Sequence, residues 1–265
     1  MKFCRGRYCL GLQALSLGLA LLMWSGCAQA QLLEVGEPQL AFEIDYFNDH
    51  TLVYCPDDNL WHVFGIISPQ TVFIHLTAES LTSGDWTRHD SFNLGDGTEI
   101  WAPHIVQDDD GRYHMFYTRI GDPREIGHSS STDLYNWTHT EEPILDLTTP
   151  SGANAKNKDP MVLLNGDRWI MYYSRVKERI EGEDYWVLGT STSTDLINWT
   201  NHEVAFDEDR PADPGVESPF VVRRGDLYYL FLSARPWPSG GVDVFVSDDP
   251  LHWDASGEPD HRIFP

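Results

Sequence analysis

Three carboxylates stand at nearly the same place in a segment that recurs four times along the chain. Asp49 precedes the first apolar strand, Asp159 the third and Glu217 the fourth. Because a repeat brings equivalent positions round one axis, these side chains are expected to converge although they lie far apart in sequence. Acidic groups gathered in a cleft are a signature of functional sites, and they also occur in structural networks. The spacing therefore favours an acidic site made of Asp49, Asp159 and Glu217.

The repeat itself defines the elements that must position these residues. Each copy opens with a polar or Pro-containing triplet, continues as an apolar strand, turns at Asp or Gly and returns as an aromatic strand. The triplets are Asn48-Asp49-His50, Trp101-Ala102-Pro103, Lys158-Asp159-Pro160 and Glu217-Ser218-Pro219. A tryptophan follows each hairpin, and the interval of about 50 to 60 residues suits a four-stranded propeller blade better than a helical repeat of about 34. The pattern predicts an all-β protein with four visible blades, in which Trp137, Trp199 and Trp253 are packing residues.

Composition bounds the class of protein. The chain has 265 residues, of which 41% are hydrophobic and 12% aromatic, and its formal net charge is -23. An all-β chain of this length folds as one domain. So acidic a surface repels nucleic acid and resists association. We therefore exclude nucleic-acid binding and expect a monomer.

The first thirty residues have the organisation of an export signal. A basic segment, an apolar segment and a small-residue cleavage site follow one another at Lys2 to Arg7, Leu10 to Trp24 and Ala28 to Ala30. The apolar segment is short for a bilayer span. We expect residues 1–30 to be removed, so that residues 31–265 form the propeller of a secreted or periplasmic protein. The alternative is a surface lipoprotein with a lipid anchor at Cys27.

The ordered triplets resemble those of glycoside hydrolase family 43 and its five-bladed relatives, which include fructan-cleaving enzymes. The resemblance covers roughly Asp45 to Trp253. It rests on the Asp of the first triplet, on Trp101-Ala102-Pro103, on the Asp-Pro of the third triplet and on the Glu-x-Pro of the fourth. It implies a five-bladed β-propeller whose last blade is missing or truncated here. It also implies a glycosidase that cleaves a plant or algal polysaccharide or oligosaccharide.

The same resemblance assigns a role to each carboxylate. Asp49 corresponds to the general base, Glu217 to the general acid, and Asp159 to the residue that orients the acid and raises its pKa. Glycosidic hydrolysis needs one protonated and one ionised carboxyl group on opposite sides of the sugar. A third carboxylate close by resists ionisation of the acid. We expect inversion of the anomeric carbon; if the fructan-cleaving relatives are closer, Asp49 attacks the carbon directly, with retention.

Two groups of residues are expected to bind substrate. Trp101 and His104 begin the second blade and should face the cleft, where an aromatic ring stacks on a sugar. His50, which replaces the Pro usual after the first Asp, is placed with them.

Arg119, Arg175 and Arg235 end the strands that return to the same face. We hypothesise that they bind the carboxylate or sulfate groups of an acidic polysaccharide, because guanidinium forks match such groups. The alternative is that each arginine pairs with a nearby acidic side chain.

Two other classes of function fit the same residues. A non-catalytic glycan-binding propeller would keep Trp101 and the arginines without a perturbed Glu217, and a scaffold protein would need no convergence of the carboxylates. An isolated Asp159-Pro160 is more often turn chemistry than catalysis. No cofactor or metal is required; the resemblance allows a structural calcium, for which the sequence identifies no ligands.

Overall fold

The computed structural model describes residues 47–82, 84–121, 124–144, 156–180, 183–207, 216–233, 241–256 and 259–263. Within these ranges the regular structure is all β-strand, as predicted. No helix in the described part of the chain is long and apolar enough to cross a lipid bilayer. The proposed signal segment, Cys27 and Arg235 lie outside the described residues.

The strands form four antiparallel sheets, each built from four strands that are consecutive in sequence. The first blade comprises β1 (Asn48–Cys55), β2 (Leu60–Ile66), β3 (Phe73–Ala78) and β4 (Thr87–Arg88). The second comprises β5 (Ile100–Gln107), β6 (Tyr113–Arg119), β7 (Glu125–Ser131) and β8 (Trp137–His139). The third comprises β9 (Asn157–Asn165), β10 (Arg168–Ile180), β11 (Glu183–Ser193) and β12 (Thr200–Phe206). The fourth comprises β13 (Phe220–Arg224), β14 (Leu227–Ser233), β15 (Val242–Ser247) and β16 (His261–Ile263).

Neighbouring blades are held together by apolar cores between their faces. The second strand of a blade lies in the middle of this packing, and all of β6 except Arg119 is buried. A strand covered on both faces is expected to be continuously apolar or aromatic, which explains the aromatic runs in the sequence. The three cores join blade one to two, two to three and three to four.

The tryptophans of the repeat belong to these cores. Trp199 and Trp253 are buried, and Trp137 packs against the core between blades one and two. The indoles of Trp137 and Trp199 donate hydrogen bonds to the carbonyl oxygens of Leu134 and Leu196, at 3.0 and 3.2 Å. The prediction that these tryptophans are scaffold residues is confirmed.

Two sheet faces leave large apolar side chains exposed. On β1, Leu52 and Tyr54 are exposed while the alternating Cys55 is buried in the core with blade two. On β13, Phe220 and Val222 are exposed in the same way. These faces of blades one and four are the ones that a fifth blade would cover in the arrangement that the resemblance implies.

Candidate active site

An irregular triplet stands at the start of each inner strand or just before it. Register shifts interrupt the pairing of β1 with β2, of β5 with β6 and of β9 with β10 at these triplets. The middle residues have left-handed φ values: Asp49 40°, Ala102 47°, Asp159 57° and Ser218 51°. This conformation costs a non-glycine residue roughly 1–2 kcal/mol, so the surrounding structure must hold it. Bulges of this kind re-aim side chains and are frequent beside active sites.

A cavity of about 580 Å³ lies where the four inner strands begin. Its wall includes Asp49 and Asp159, which occupy equivalent places in their triplets, together with Ser218 of the fourth triplet. Glu217 precedes Ser218, and it is close enough to Asp49 to perturb its ionisation. The structure therefore brings Asp49, Asp159 and Glu217 together at one place.

Lys158 is the cation of this acidic group. Its side chain is buried, its ammonium forms an ion pair with Glu217 Oε1, and its Nζ lies 3.6 Å from Asp159 Oδ2. The same Nζ lies 5.0 Å from the ring centroid of Trp186. A buried ammonium needs such partners because desolvation of an unpaired charge is costly. Sequence analysis missed Lys158, although it stands immediately before Asp159.

The environment of Asp49 differs from that of the other two carboxylates. Burial and the negative charge of Asp159 raise the pKa of Asp49 to about 6, with a smaller contribution from Glu217. A hydrogen bond from the backbone N–H of Ala102 and the charge of Lys158 act in the opposite direction. Asp49 is therefore ionised at neutral pH but takes up a proton in mildly acidic solution, which is the behaviour required of a general base.

Asp159 is fixed by contacts to two neighbouring blades. Its backbone N–H donates to Thr118 Oγ1 at 2.9 Å, and its Oδ2 accepts a hydrogen bond from the backbone N–H of Ser218 at 3.1 Å. These bonds connect blade three to blades two and four at the point where the carboxylates meet. Asp159 thus sets the position of the residue that follows Glu217.

Each inner strand also contributes a further side chain to the cavity wall. These are Thr51, His104, Met161 and Phe220. His104 Nε2 donates to the carbonyl oxygen of Val162 at 3.1 Å, and burial lowers the pKa of His104 to about 4, so the ring is neutral. Calcium favours six to eight oxygen ligands, of which these four side chains supply one, the Thr51 hydroxyl.

The two histidines expected at the cleft lie there, and Trp101 does not. His50 and His104 are in the cavity wall, where desolvation lowers the pKa of both rings. The Trp101 indole instead donates to Gln70 Oε1 at 2.9 Å and to Glu99 Oε1 at 3.0 Å. The expectation that Trp101 faces the cleft was wrong, because it precedes the bulge and packs against the core between blades one and two.

Arg119 and Arg175, two of the three arginines expected at the mouth, have structural contacts instead. Arg119 donates to the carbonyl oxygen of Glu141 at 2.9 Å and lies 3.9 Å from Asp96 Oδ2. A Cβ at Gly127 would lie 2.9 Å from Arg119 Cδ, and a Cβ at Gly189 would lie 2.7 Å from Arg175 Cδ. Each arginine thus lies over a glycine of the adjacent strand, as part of the scaffold. Neither lines the cavity between the carboxylates.

Comparison with known proteins gives this chain a family context. A model described as "Glycosyl hydrolases family 32 N-terminal domain" matches residues 102–264, which contain Asp159 and Glu217 but not Asp49. A probable arabinan endo-1,5-alpha-L-arabinosidase C of Aspergillus flavus is 24% identical over 174 residues, 61% of this chain and 52% of that relative. A probable sucrose-6-phosphate hydrolase of Psychromonas ingrahamii is 28% identical over 160 residues, 56% of this chain and 28% of that relative. The chain thus spans about half or less of the length of these relatives.

A solved structure supports the architecture. The crystal structure of a thermostable family-43 glycoside hydrolase matches with a TM-score of 0.64 and 18% identity, covering 80% of this chain and 73% of that chain. At this level of identity the likeness concerns the fold. It confirms the predicted propeller, of which the described residues form four blades.

Proposed function

Since the chain belongs to the glycosyl hydrolases family 32 N-terminal domain family, we propose that it hydrolyses glycosidic bonds of a plant or algal polysaccharide or oligosaccharide. The resemblance to propeller glycosidases is thereby confirmed. The names of its relatives and structural neighbours point to arabinan, xylan or fructan as the substrate class. The observation that carries the proposal is the proximity of Glu217 to Asp49 and Asp159, which line one cavity.

The proposed mechanism divides the work between two carboxyl groups. Glu217 donates a proton to the glycosidic oxygen as the bond to the anomeric carbon breaks, and Asp49 takes a proton from the attacking water. Asp159 fixes the geometry and supplies a negative charge beside the acid. The raised pKa of Asp49 supports the role of base, because a base works best with a pKa near the operating pH.

Lys158 imposes a condition on this mechanism. Its ammonium contacts Glu217 Oε1 in an ion pair, whereas a general acid must present its carboxyl group to the glycosidic oxygen as the bond breaks. A sugar entering the cavity must therefore separate the two side chains before Glu217 can donate.

Retention is the second candidate for the stereochemical course. The family 32 match favours it if Asp49 acts as nucleophile, as the resemblance implies for the fructan-cleaving relatives. The raised pKa of Asp49 favours inversion, because a nucleophile that later leaves benefits from a low pKa. We propose inversion.

Proton NMR of fresh reaction mixtures tests both the activity and its course. Arabinan, xylan, fructan and aryl glycosides are incubated with the protein, and the first-formed anomer is observed before mutarotation. We expect reducing sugar from at least one of these substrates and inverted configuration. A first-formed product with retained configuration would show that Asp49 acts as a nucleophile and not as a base. Sugar binding without turnover by the folded protein would favour the glycan-binding alternative.

We also propose that the chain is exported after removal of residues 1–30, for which the basic, apolar and small-residue segments are the support. The acidic surface supports a monomer. The intact mass of the exported protein tests this. A chain that begins at Gln31 fits the proposal, and a chain that begins at a lipid-modified Cys27 would instead indicate a surface lipoprotein.

A further inference from the structure

A second group of reactive side chains lies at the other end of blade one, at the turn between β1 and β2. Cys55 ends β1, Asp58 lies in the turn, and His62 lies in β2. One ligand atom from each lies within 4.8 Å of the other two. Cys55 and His62 are buried, and the Asp58 side chain is 29% exposed, so the group is reachable from solvent. Thiolate, carboxylate and imidazole are the ligands that zinc sites use.

Outer contacts already orient two of these side chains. His75 Nε2 lies 2.8 Å from His62 Nδ1, which leaves His62 Nε2 to face Asp58. Asp58 Oδ1 accepts the backbone N–H of Leu60 at 3.0 Å, and Asp58 Oδ2 accepts the Tyr135 hydroxyl at 2.9 Å. Metal-bound histidines and carboxylates are typically held by a second layer of hydrogen bonds of this kind.

Tyr113 of the second blade lies against the thiol of this group. Tyr113 is 1% exposed, and its hydroxyl lies next to Cys55 as a hydrogen-bonding neighbour. A neutral thiol is a weak acceptor, whereas a thiolate is charged and accepts well. A metal-bound thiolate at Cys55 would give the buried Tyr113 hydroxyl a strong acceptor.

Blade two contains a similar arrangement without a thiol. His114 Nε2 lies 3.1 Å from Asp108 Oδ2, and His114 Nδ1 lies 2.9 Å from His128 Nε2. A carboxylate hydrogen-bonded in series to two imidazoles thus occurs in each of the two blades, and in blade two it forms without a cysteine. Blade one adds Cys55 to it, which turns a hydrogen-bonded chain into a set of three ligands.

We propose that Cys55, Asp58 and His62 bind one transition-metal ion of the Zn²⁺ type. Zinc bonds of about 2.0–2.3 Å place tetrahedral ligand atoms about 3.3–3.7 Å apart. The three ligand atoms lie within 4.8 Å of one another, and small rotations of the Cys55 and Asp58 side chains bring them to the spacing that zinc needs. Binding converts the Cys55 thiol to thiolate with release of a proton, and solvent on the exposed side completes the coordination.

The ion would join blade one to blade two. Tyr113 and Tyr135 both belong to the second blade's part of the chain, and both contact ligands contributed by blade one. Cys55 is the only cysteine between residues 31 and 265, so that segment cannot form an internal disulfide. The site lies at the opposite end of β1 from Asp49, so its role is structural and independent of the proposed glycosidase chemistry.

Metal titration of the full chain after chelator treatment tests this inference. We expect one Co²⁺ per chain with an absorption band from thiolate-to-cobalt charge transfer, and displacement of that band by Zn²⁺. The melting temperature should rise with Zn²⁺ concentration, because the ion binds the folded state. Cys55→Ser should lose the band and the Zn²⁺ dependence, and Asp58→Asn should bind about 10- to 100-fold more weakly.

Asp108→Asn is the matched control, because it alters the same carboxylate–histidine pair in the blade without a thiol. It should leave cobalt affinity and the charge-transfer band unchanged. The proposal is overturned if the wild type binds no metal at a one-to-one ratio, or if the band survives in Cys55→Ser. The second outcome would place the metal on cysteines of the first thirty residues.

Discussion

Glu217→Gln is expected to lower kcat on unactivated polysaccharide about 10²- to 10⁴-fold, the contribution typical of a general acid. Glutamine keeps the size of the side chain and still accepts a hydrogen bond from Lys158, but it has no proton to donate to the glycosidic oxygen. The loss should be far smaller on aryl glycosides whose phenol departs without protonation. Initial rates on both substrate types, at matched concentrations of folded protein, measure the effect.

Glu203→Gln is the control for this variant. Glu203 is exposed on β12, away from the carboxylate cavity, so the same loss of charge there should leave kcat within about twofold of wild type. An equal loss on both substrate types in Glu217→Gln would contradict proton donation and would assign Glu217 to substrate binding.

Asp49→Asn is expected to lose activity and gain stability together. Loss of the base should cost about 10²- to 10⁴-fold in kcat. The pKa of Asp49 is raised from 3.8 to about 6, so ionising it in the folded protein is unfavourable. Removing the carboxylate should therefore increase the free energy of unfolding above pH 6 by on the order of 2 kcal/mol. Urea unfolding at several pH values measures this gain.

The sign of the pH dependence follows from the direction of that pKa shift. The folded state binds the Asp49 proton more tightly than the unfolded state does. The stabilisation that this proton gives the folded state is therefore present below pH 3.8 and is lost as the pH rises through about 6. In the wild type, kcat/KM should fall below pH about 6 as Asp49 becomes protonated. Asp110→Asn, in an exposed turn, should show neither effect. An Asp49→Asn variant that is less stable at pH 8 would contradict a strained, functional carboxylate.

The repeat in the sequence was sufficient to predict the blades and the start of each inner strand. The period of the tryptophans and the triplets depends on local turn chemistry and on strand burial, which short segments encode. Convergence of Asp49, Asp159 and Glu217 followed from that symmetry. The equivalence of positions is approximate, because Glu217 stands one residue before Ser218, which occupies the place equivalent to Asp49 and Asp159.

The direction of individual side chains could not be predicted in the same way. The bulge at Ala102 places Trp101 toward the core and His104 toward the cavity, and a shift of one residue reverses the face of a strand. The pairing of Lys158 with Glu217 depends on how blades three and four pack. The structural role of the arginines could have been predicted, because the same Tyr-x-Arg and Gly pattern recurs in two blades. Tyr117 and Arg119 lie over Gly127 in the same way that Tyr173 and Arg175 lie over Gly189.

The Asp49→Asn/Glu217→Gln double variant tests the central claim most directly. Two groups that act on one step in one cavity are not additive, because the loss of either already removes the concerted reaction. We predict that kcat of the double variant on polysaccharide is within about tenfold of the weaker single variant. Losses that multiply to the product of the two single effects would show that Asp49 and Glu217 act independently, and would contradict a single catalytic site between them.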